Sequence, residues 1–483
     1  MLVGLPPGKR PFLSNKEINV KTDTIAAVST PRGKGGVALL RVSGSEAIAI
    51  AGHVFEPKNG KRLCDFPART AVYGTIYIKE ANGSRVAVDD ALATVFRAPA
   101  SFTGEDTVEI CCHGGILLTE TVLTALFAAG AVPAGAGEFT KRAFLNGKIG
   151  LSSAEALADL LEAQNRQQLL LAHSGMGGKT EEKSAEIYAE LRRILASVYV
   201  VIDYPDEDLA DMSREEMIAA LSECLAKLQK LAETYRTGHA VAEGIATVIC
   251  GKPNVGKSSV YNALVGREAA IVTDIEGTTR DLLTETATLG RVTLRLTDTA
   301  GLRETGDTVE KIGVERAKKA IAEAELILAV VDAGSKLTAE DFDILKAVQM
   351  EGKPVIVLLN KTDTNVEPAT VEICKSKFEK IVFLSAKTGA GFGDLSATVE
   401  KLFTDGTLDL SQDAILTNAR QQAAVLRAIE DIERAKNALC DGMPIDLCCN
   451  DAESAMGALA ELDGRAVSED LVSEIFSHFC VGK

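Results

Sequence analysis

Residues 245–266 read IATVICGKPNVGKSSVYNALVG. The run opens apolar and strand-like and closes at helical spacing, and the turn between, Gly251–Ser258, satisfies G-x-x-x-x-G-K-S. Such a turn lays backbone N–H groups around phosphate oxygens. Lys257 then brings charge to the β- and γ-phosphates, and the Ser258 hydroxyl offers a Mg²⁺ ligand. The strand before and the helix after separate this loop from a chance match. Working outward, LILAVVDA (326–333), PVIVLLN (354–360) and IVFLSA (381–386) are apolar nearly throughout, as strands are when both faces are covered. Residues 245–403 therefore read as a doubly wound parallel sheet.

The next motifs choose the nucleotide. NKTD, Asn360-Lys361-Thr362-Asp363, follows an apolar strand at the carboxyl edge, where such sheets bind ligands. The Asp363 carboxylate only accepts, so it pairs with adjacent N–H donors of guanine that adenine lacks on that edge. Ser385, Ala386 and Lys387 follow the next strand and can close over the base. An ATPase would require that Asp363→Asn leave the preference unchanged. DTAGL, with Asp298, Thr299, Ala300 and Gly301, ends the alternating run VTLRLTD; Asp298 can hold Mg²⁺ through water and the Gly301 N–H can sense the γ-phosphate. Leu302 stands where Ras-type GTPases carry a water-positioning glutamine, which leaves Glu310 as the acidic candidate or as one more exposed helix-start glutamate. Asn254 and the segment Thr273, Asp274, Ile275, Glu276, Gly277, Thr278, Thr279 offer neutral oxygens suited to a monovalent cation. Either Thr278 or Thr279 supplies the hydroxyl to Mg²⁺.

With 483 residues the chain divides into about three domains. A net charge of −16 disfavours a general grip on nucleic-acid phosphates, so any RNA contact is local or delegated. Ten cysteines without a C-x-x-C pair point to a reduced, cytosolic protein. The start lacks an apolar stretch, and no membrane span is expected. Residues 1–22 read as an amino-terminal extension. Residues 23–145 mix β-type runs (ALLRVSG, AVYGTIYI, ALATVF) with one helix near 116–129, an α+β unit. Helical period fills 146–240, opening with Ser152 and Glu155 at capping-box spacing, and returns over 405–483. An α/β domain, 241–404, is thus inserted into a discontinuous α-helical one.

GKPNVGKSS, REAAIVTDIEGTTRD, DTAGLRET, NKTD and the terminal FCVGK, together with RGKGGVALLRVSG, SFTGEDTVEICCHGG and GEFTKRAFLNGKIGLSSAEALADL, resemble the MnmE (TrmE) family of bacterial tRNA-modification GTPases over residues 22–483. The resemblance implies a multidomain protein: an α+β folate-binding and dimerising amino-terminal domain, the discontinuous helical domain, and an inserted Ras-like P-loop GTPase domain. It implies a cytoplasmic homodimer that joins the FAD-dependent partner MnmG (GidA) in a heterotetramer and modifies C5 of wobble uridine in tRNA. Methylene-tetrahydrofolate is the implied carbon donor, with the 5-formyl form as an alternative bound species. By the same resemblance Asn254, Val255, Gly256, Lys257, Ser258 and Ser259 join the switch and base motifs in binding GTP. Ser258 and Thr279 take Mg²⁺; Asn254, Thr273, Ile275 and Thr278 take K⁺; and Glu310 orients the hydrolytic water. Arg41, Glu109, Lys148 and Lys483 become folate contacts, and Cys480 a functional thiol beside the one-carbon donor. Taken alone, FCVGK fits a prenylation box poorly at Gly482 and Lys483. Val481 and Ala136 depart from the family's commoner isoleucine or leucine and proline. The rival class is a nucleotide-dependent assembly switch without modification chemistry, which has no reason to bind folate.

Overall fold

Alternation along strands and period along helices sort the chain into the same classes of element in space as in sequence. The computed structural model describes residues 23–80, 82–203, 212–266, 284–297, 321–477 and 479–482. The chain forms two units: Met1–Ala158 with Ser184–Tyr188 and Met456–Lys483, and Asp159–Lys183 with Ala189–Ala455.

In the first unit, β1 (Ile25–Val28), β2 (Gly35–Ser43), β3 (Phe55–Pro57), β4 (Ala71–Lys79), β5 (Arg85–Phe96), β6 (Thr107–Gly114) and β7 (Val132–Pro133) make one sheet in the order β3-β4-β5-β6-β2-β1-β7. The pairing is antiparallel except where β7 joins β1. Strand alternation sends Leu40, Val42, Val108 and Ile110 to one face, where they are fully buried with Val122 and Leu126 of α2 (Ile116–Ala128) and Ala47 and Ala51 of α1 (Ala47–Val54). The residues between them, Arg41 and Glu109, are directly paired on the other face.

Helix α3 (Glu138–Leu145) is fastened through Arg142, 4% exposed, whose guanidinium donates to the Asp23 carbonyl, Glu105 and Glu138. Helix α4 (Leu151–Glu162) does not use the expected cap. Leu151 already begins it, and Ser152 is buried one residue inside, donating to the Leu462 carbonyl at 2.9 Å. Burial of that hydroxyl against a second helix outcompetes the local cap.

The helices of the second unit begin with α5 (Arg166–Met176), where the Asn165 side chain accepts from the Gln167 and Gln168 N–H groups. The single run expected from Ser152 onward is therefore two helices with a capped break. After α6 (Lys179–Asp203), α7 (Arg214–Glu233) starts on a complete capping box, Ser213 with Glu216. Next come α8 (Tyr235–Ala242), β8 (Ile245–Cys250), α9 (Lys257–Val265), β9 (Thr284–Leu289), β10 (Val292–Thr297), β11 (Leu326–Asp332), α10 (Ala339–Met350), β12 (Val355–Asn360), α11 (Pro368–Lys377), β13 (Ile381–Phe383) and α12 (Phe392–Phe403). Among the described residues the sheet runs β13-β12-β11-β8-β10-β9, parallel except for β9. Val260, Leu264, Leu395 and Val399 cover one face, and Leu345, Val348 and Cys374 the other. The chain then returns as α13 (Ala419–Cys440) and α14 (Ile445–Asp463), and α15 (Glu469–Ser477) with the end of α14 from Met456 belongs to the first unit. Leu221, Leu225 and Leu228 of α7 and Val425, Ile429 and Ile432 of α13 are buried on their apolar faces.

A charged cluster ties α8 to the sheet's amino-terminal edge. The His239 ring nitrogen Nε2 lies 2.9 Å from Glu325 Oε1, while Glu325 Oε2 accepts from the Ala246 N–H at 2.9 Å. That hydrogen bond is the main reason His239 titrates above its ordinary value of about 6.5, with partial burial opposing. A raised folded value makes this contribution complete below about pH 6.5 and lost as pH rises through the folded value. The melting temperature of the wild type should therefore fall over that rise relative to His239→Gln, read by calorimetry across a pH series. Parallel curves would contradict the assignment.

Candidate nucleotide site

The switch point of the sheet lies between β8 and β11, and the phosphate loop leaves the carboxyl end of β8 there. Two glycines make the turn possible. Gly251, φ +146°, lies where a Cβ would meet the Val330 carbonyl oxygen at 2.4 Å, and Gly256, φ +99°, where one would meet Asn360 Nδ2 at 2.3 Å. Asn254 takes the left-handed conformation at φ +64°, which asparagine tolerates better than most residues. Val255 is buried, and Lys257, Ser258 and Ser259 form the first turn of α9. Lys257 donates to the Lys252 carbonyl at 2.9 Å, and burial lowers its pKa.

Asn360 closes the site from the next strands. Its side chain is buried, Nδ2 donates to the Val255 carbonyl at 2.9 Å, and Oδ1 accepts from the Ala386 N–H at 3.0 Å. One carboxamide thus joins the phosphate loop to the Ser385-Ala386-Lys387 loop. Lys361, φ +66°, donates to the Asn254 carbonyl at 2.8 Å and pairs with Asp332 at 2.7 Å. Ser385, itself buried, donates to Asp363 Oδ1 at 2.7 Å and holds that carboxyl below its usual range. The second Asp363 oxygen is an acceptor that suits a base with adjacent N–H donors. Asp332 was missed in sequence; its one signal is its place as the last residue of β11.

Of the remaining expected site residues, Thr273, Asp274, Ile275, Glu276, Gly277, Thr278, Thr279, Asp298, Thr299, Ala300, Gly301, Glu310 and Lys483 lie outside the described residues. So do residues 1–22. Among the described residues no group of three His, Cys, Asp or Glu is placed to hold a metal. The expected ligands that are described, Ser258 and Asn254, would instead offer a hydroxyl and an amide oxygen from one loop.

In the first unit Arg41 Nη2 and Glu109 Oε1 are 2.8 Å apart, and the guanidinium lies over the rings of Phe102 (5.1 Å) and Phe139 (5.5 Å). Lys148 donates to the Pro99 carbonyl at 2.8 Å. The carboxyl-terminal tail docks on the same unit. Phe479 packs on Phe476, the Gly137 N–H donates to the Cys480 carbonyl at 3.3 Å, Val481 bridges Ala136, and Ser29 donates to the Gly482 carbonyl at 2.9 Å. Cys480 is exposed there.

A glycine-rich loop between strand and helix, joined through one asparagine to two base-side loops of a doubly wound sheet, defines a P-loop GTP-binding protein. The chain matches the family model for the MnmE helical domain over residues 151–480 and that for the GTP-binding protein TrmE N-terminus over residues 24–148. It is 40% identical to the tRNA modification GTPase MnmE of Lactobacillus delbrueckii subsp. bulgaricus, over 95% of this chain and 98% of that protein. It is likewise 40% identical to the MnmE of Acetivibrio thermocellus, over 96% of this chain and all of that protein. The crystal structure of Aquifex aeolicus Era bound to GDP·AlF4⁻ shares 31% identity over 38% of this chain and 65% of that one, with a TM-score of 0.28. The chain belongs to the MnmE family.

Asn360→Ala strands the buried Val255 carbonyl and the part-buried Ala386 N–H, at up to about 1–3 kcal/mol each. GTP affinity, measured by titration calorimetry, should fall at least about tenfold. Wild-type affinity would contradict the joining role.

Proposed function

We propose that this chain is a GTP hydrolase acting in tRNA modification. The joining of phosphate and base loops through Asn360, in a chain that aligns along 95% of its length with an MnmE relative, carries the reading. The GTP-handling roles fall to Asn254–Ser259, the switch residues Thr273–Thr279 and Asp298–Gly301, and the base loops. Lys257 neutralises the β- and γ-phosphates, Asp363 selects guanine, and Glu310 orients the attacking water in place of the glutamine absent at Leu302. Mg²⁺ at Ser258 and Thr279, and K⁺ at Asn254, Thr273, Ile275 and Thr278, would supply positive charge to the transferring phosphoryl group. The G domain is taken as 241–404, and the helical domain as 146–240 with 405–483.

The finer assignment is modification of C5 of the wobble uridine by a homodimer working with the FAD-dependent partner MnmG in the cytoplasm. Residues 23–145 would bind a tetrahydrofolate carbon donor. Glu109 would accept from pterin N–H groups while Arg41, seated on Phe102 and Phe139, fixes its orientation; Lys148 and Lys483 suit the folate's carboxylates. The docking of the tail presents the Cys480 thiol at the surface of this unit.

The test is steady-state GTP hydrolysis in matched KCl and NaCl, for the wild type and Glu310→Ala. Potassium should stimulate the wild type at least about tenfold, and the variant should bind GTP yet lose about 10² or more in rate. Equal rates in both salts with an unaffected variant would overturn the cation and water assignments.

A further inference from the structure

Lys252 is the second residue of the phosphate loop, and its ammonium reaches out of the loop to helix α10. Lys252 Nζ stands 2.6 Å from Asp341 Oδ2, with the two side chains 16% and 3% exposed. The same carboxylate oxygen accepts from the Thr338 N–H at 2.8 Å and the Thr338 hydroxyl at 2.7 Å, completing the capping box of α10. A helix cap needs the Thr338 contacts but no lysine from 89 positions away. Burial works against charge on Asp341, but Lys252 and Thr338 together hold its carboxyl below the usual range.

On the loop side the Lys252 carbonyl accepts from Lys257 Nζ at 2.9 Å. One residue is therefore held by α10 through its side chain and holds the phosphate-binding lysine through its main chain. Its neighbours leave little slack. Gly251 is pressed under the Val330 carbonyl, and Pro253 has a fixed φ. The Lys252 ammonium and carbonyl are thus both engaged within a tightly bounded turn.

We propose that Asp341 is a positioning residue for GTP turnover, acting through Lys252 to set the phosphate loop and Lys257 where the β- and γ-phosphates arrive. Asp341 itself touches no substrate. The proposal rests on the GTP-hydrolase reading above.

The experiment uses the intact chain as wild type, Lys252→Met, Asp341→Asn, the double variant and Lys252→Arg. Asp341→Asn keeps an acceptor for the Thr338 N–H, so the helix start persists. Dissociation of a fluorescent GDP analogue, KM and kcat for GTP, and thermal melting are measured. Each single removal should speed GDP dissociation and raise KM by about tenfold or more, with a smaller change in kcat. The double variant should be no worse than either single, and Lys252→Arg should retain near wild-type dissociation. Melting temperatures that drop while dissociation and KM stay at wild-type values would overturn the proposal, as would additive effects in the double variant. A wild type that binds GDP but hydrolyses no GTP would instead overturn the hydrolase reading, and the dissociation rates would still decide the role of Asp341.

Discussion

The nucleotide site depends on one buried carboxamide. Asn360 uses both ends of its side chain, one on the Val255 carbonyl and one on the Ala386 N–H. Removing either partner leaves a polar group in a dry environment, so the two loops are fixed relative to each other with little freedom. The close approach sets other residues too: Gly256 has no room for a Cβ beside Asn360, and the left-handed turn there starts helix α9. Lys361 and Ser385 extend the same frame, one to Asn254 and Asp332, the other to Asp363. The Asp363 carboxylate is thereby oriented by the strands that carry the loops.

The first unit is organised differently. Its sheet buries one face under α1 and α2 and turns Arg41 and Glu109 to the other. The tail is built in as structure, because Gly482, φ +97°, sits where a Cβ would meet the Val28 carbonyl oxygen at 2.3 Å. Phe476, Phe479 and Phe144 lock the approach to it. The last described residues, 479–482, thus belong to the same packed body as the first described strand.

Strands such as IATVIC and LILAVVDA were legible because burial on both faces makes them apolar throughout, and the loop glycines because the phosphate turn demands them. The helix at 116–128 was legible from its length and apolar content. The capping of α4 was misread because Ser152 is engaged by a residue some 300 positions away, which no local spacing reveals. The break at Asn165 was hidden because helical period continues on both sides of it. Arg41 and Glu109 meet only through strand register, so they entered through resemblance and not through spacing. Lys252 and Asp332 went unnoticed because their partners lie on other strands and helices.

Guanine selection is proposed to rest on the framed Asp363. The most direct test is hydrolysis of GTP and ATP side by side by the intact chain and by Asp363→Asn. The wild type should hydrolyse GTP with kcat/KM at least about 10³ above that for ATP, and the variant should lose most of that ratio through KM. Equal use of both nucleotides by the wild type, or an unchanged ratio in the variant, would contradict it.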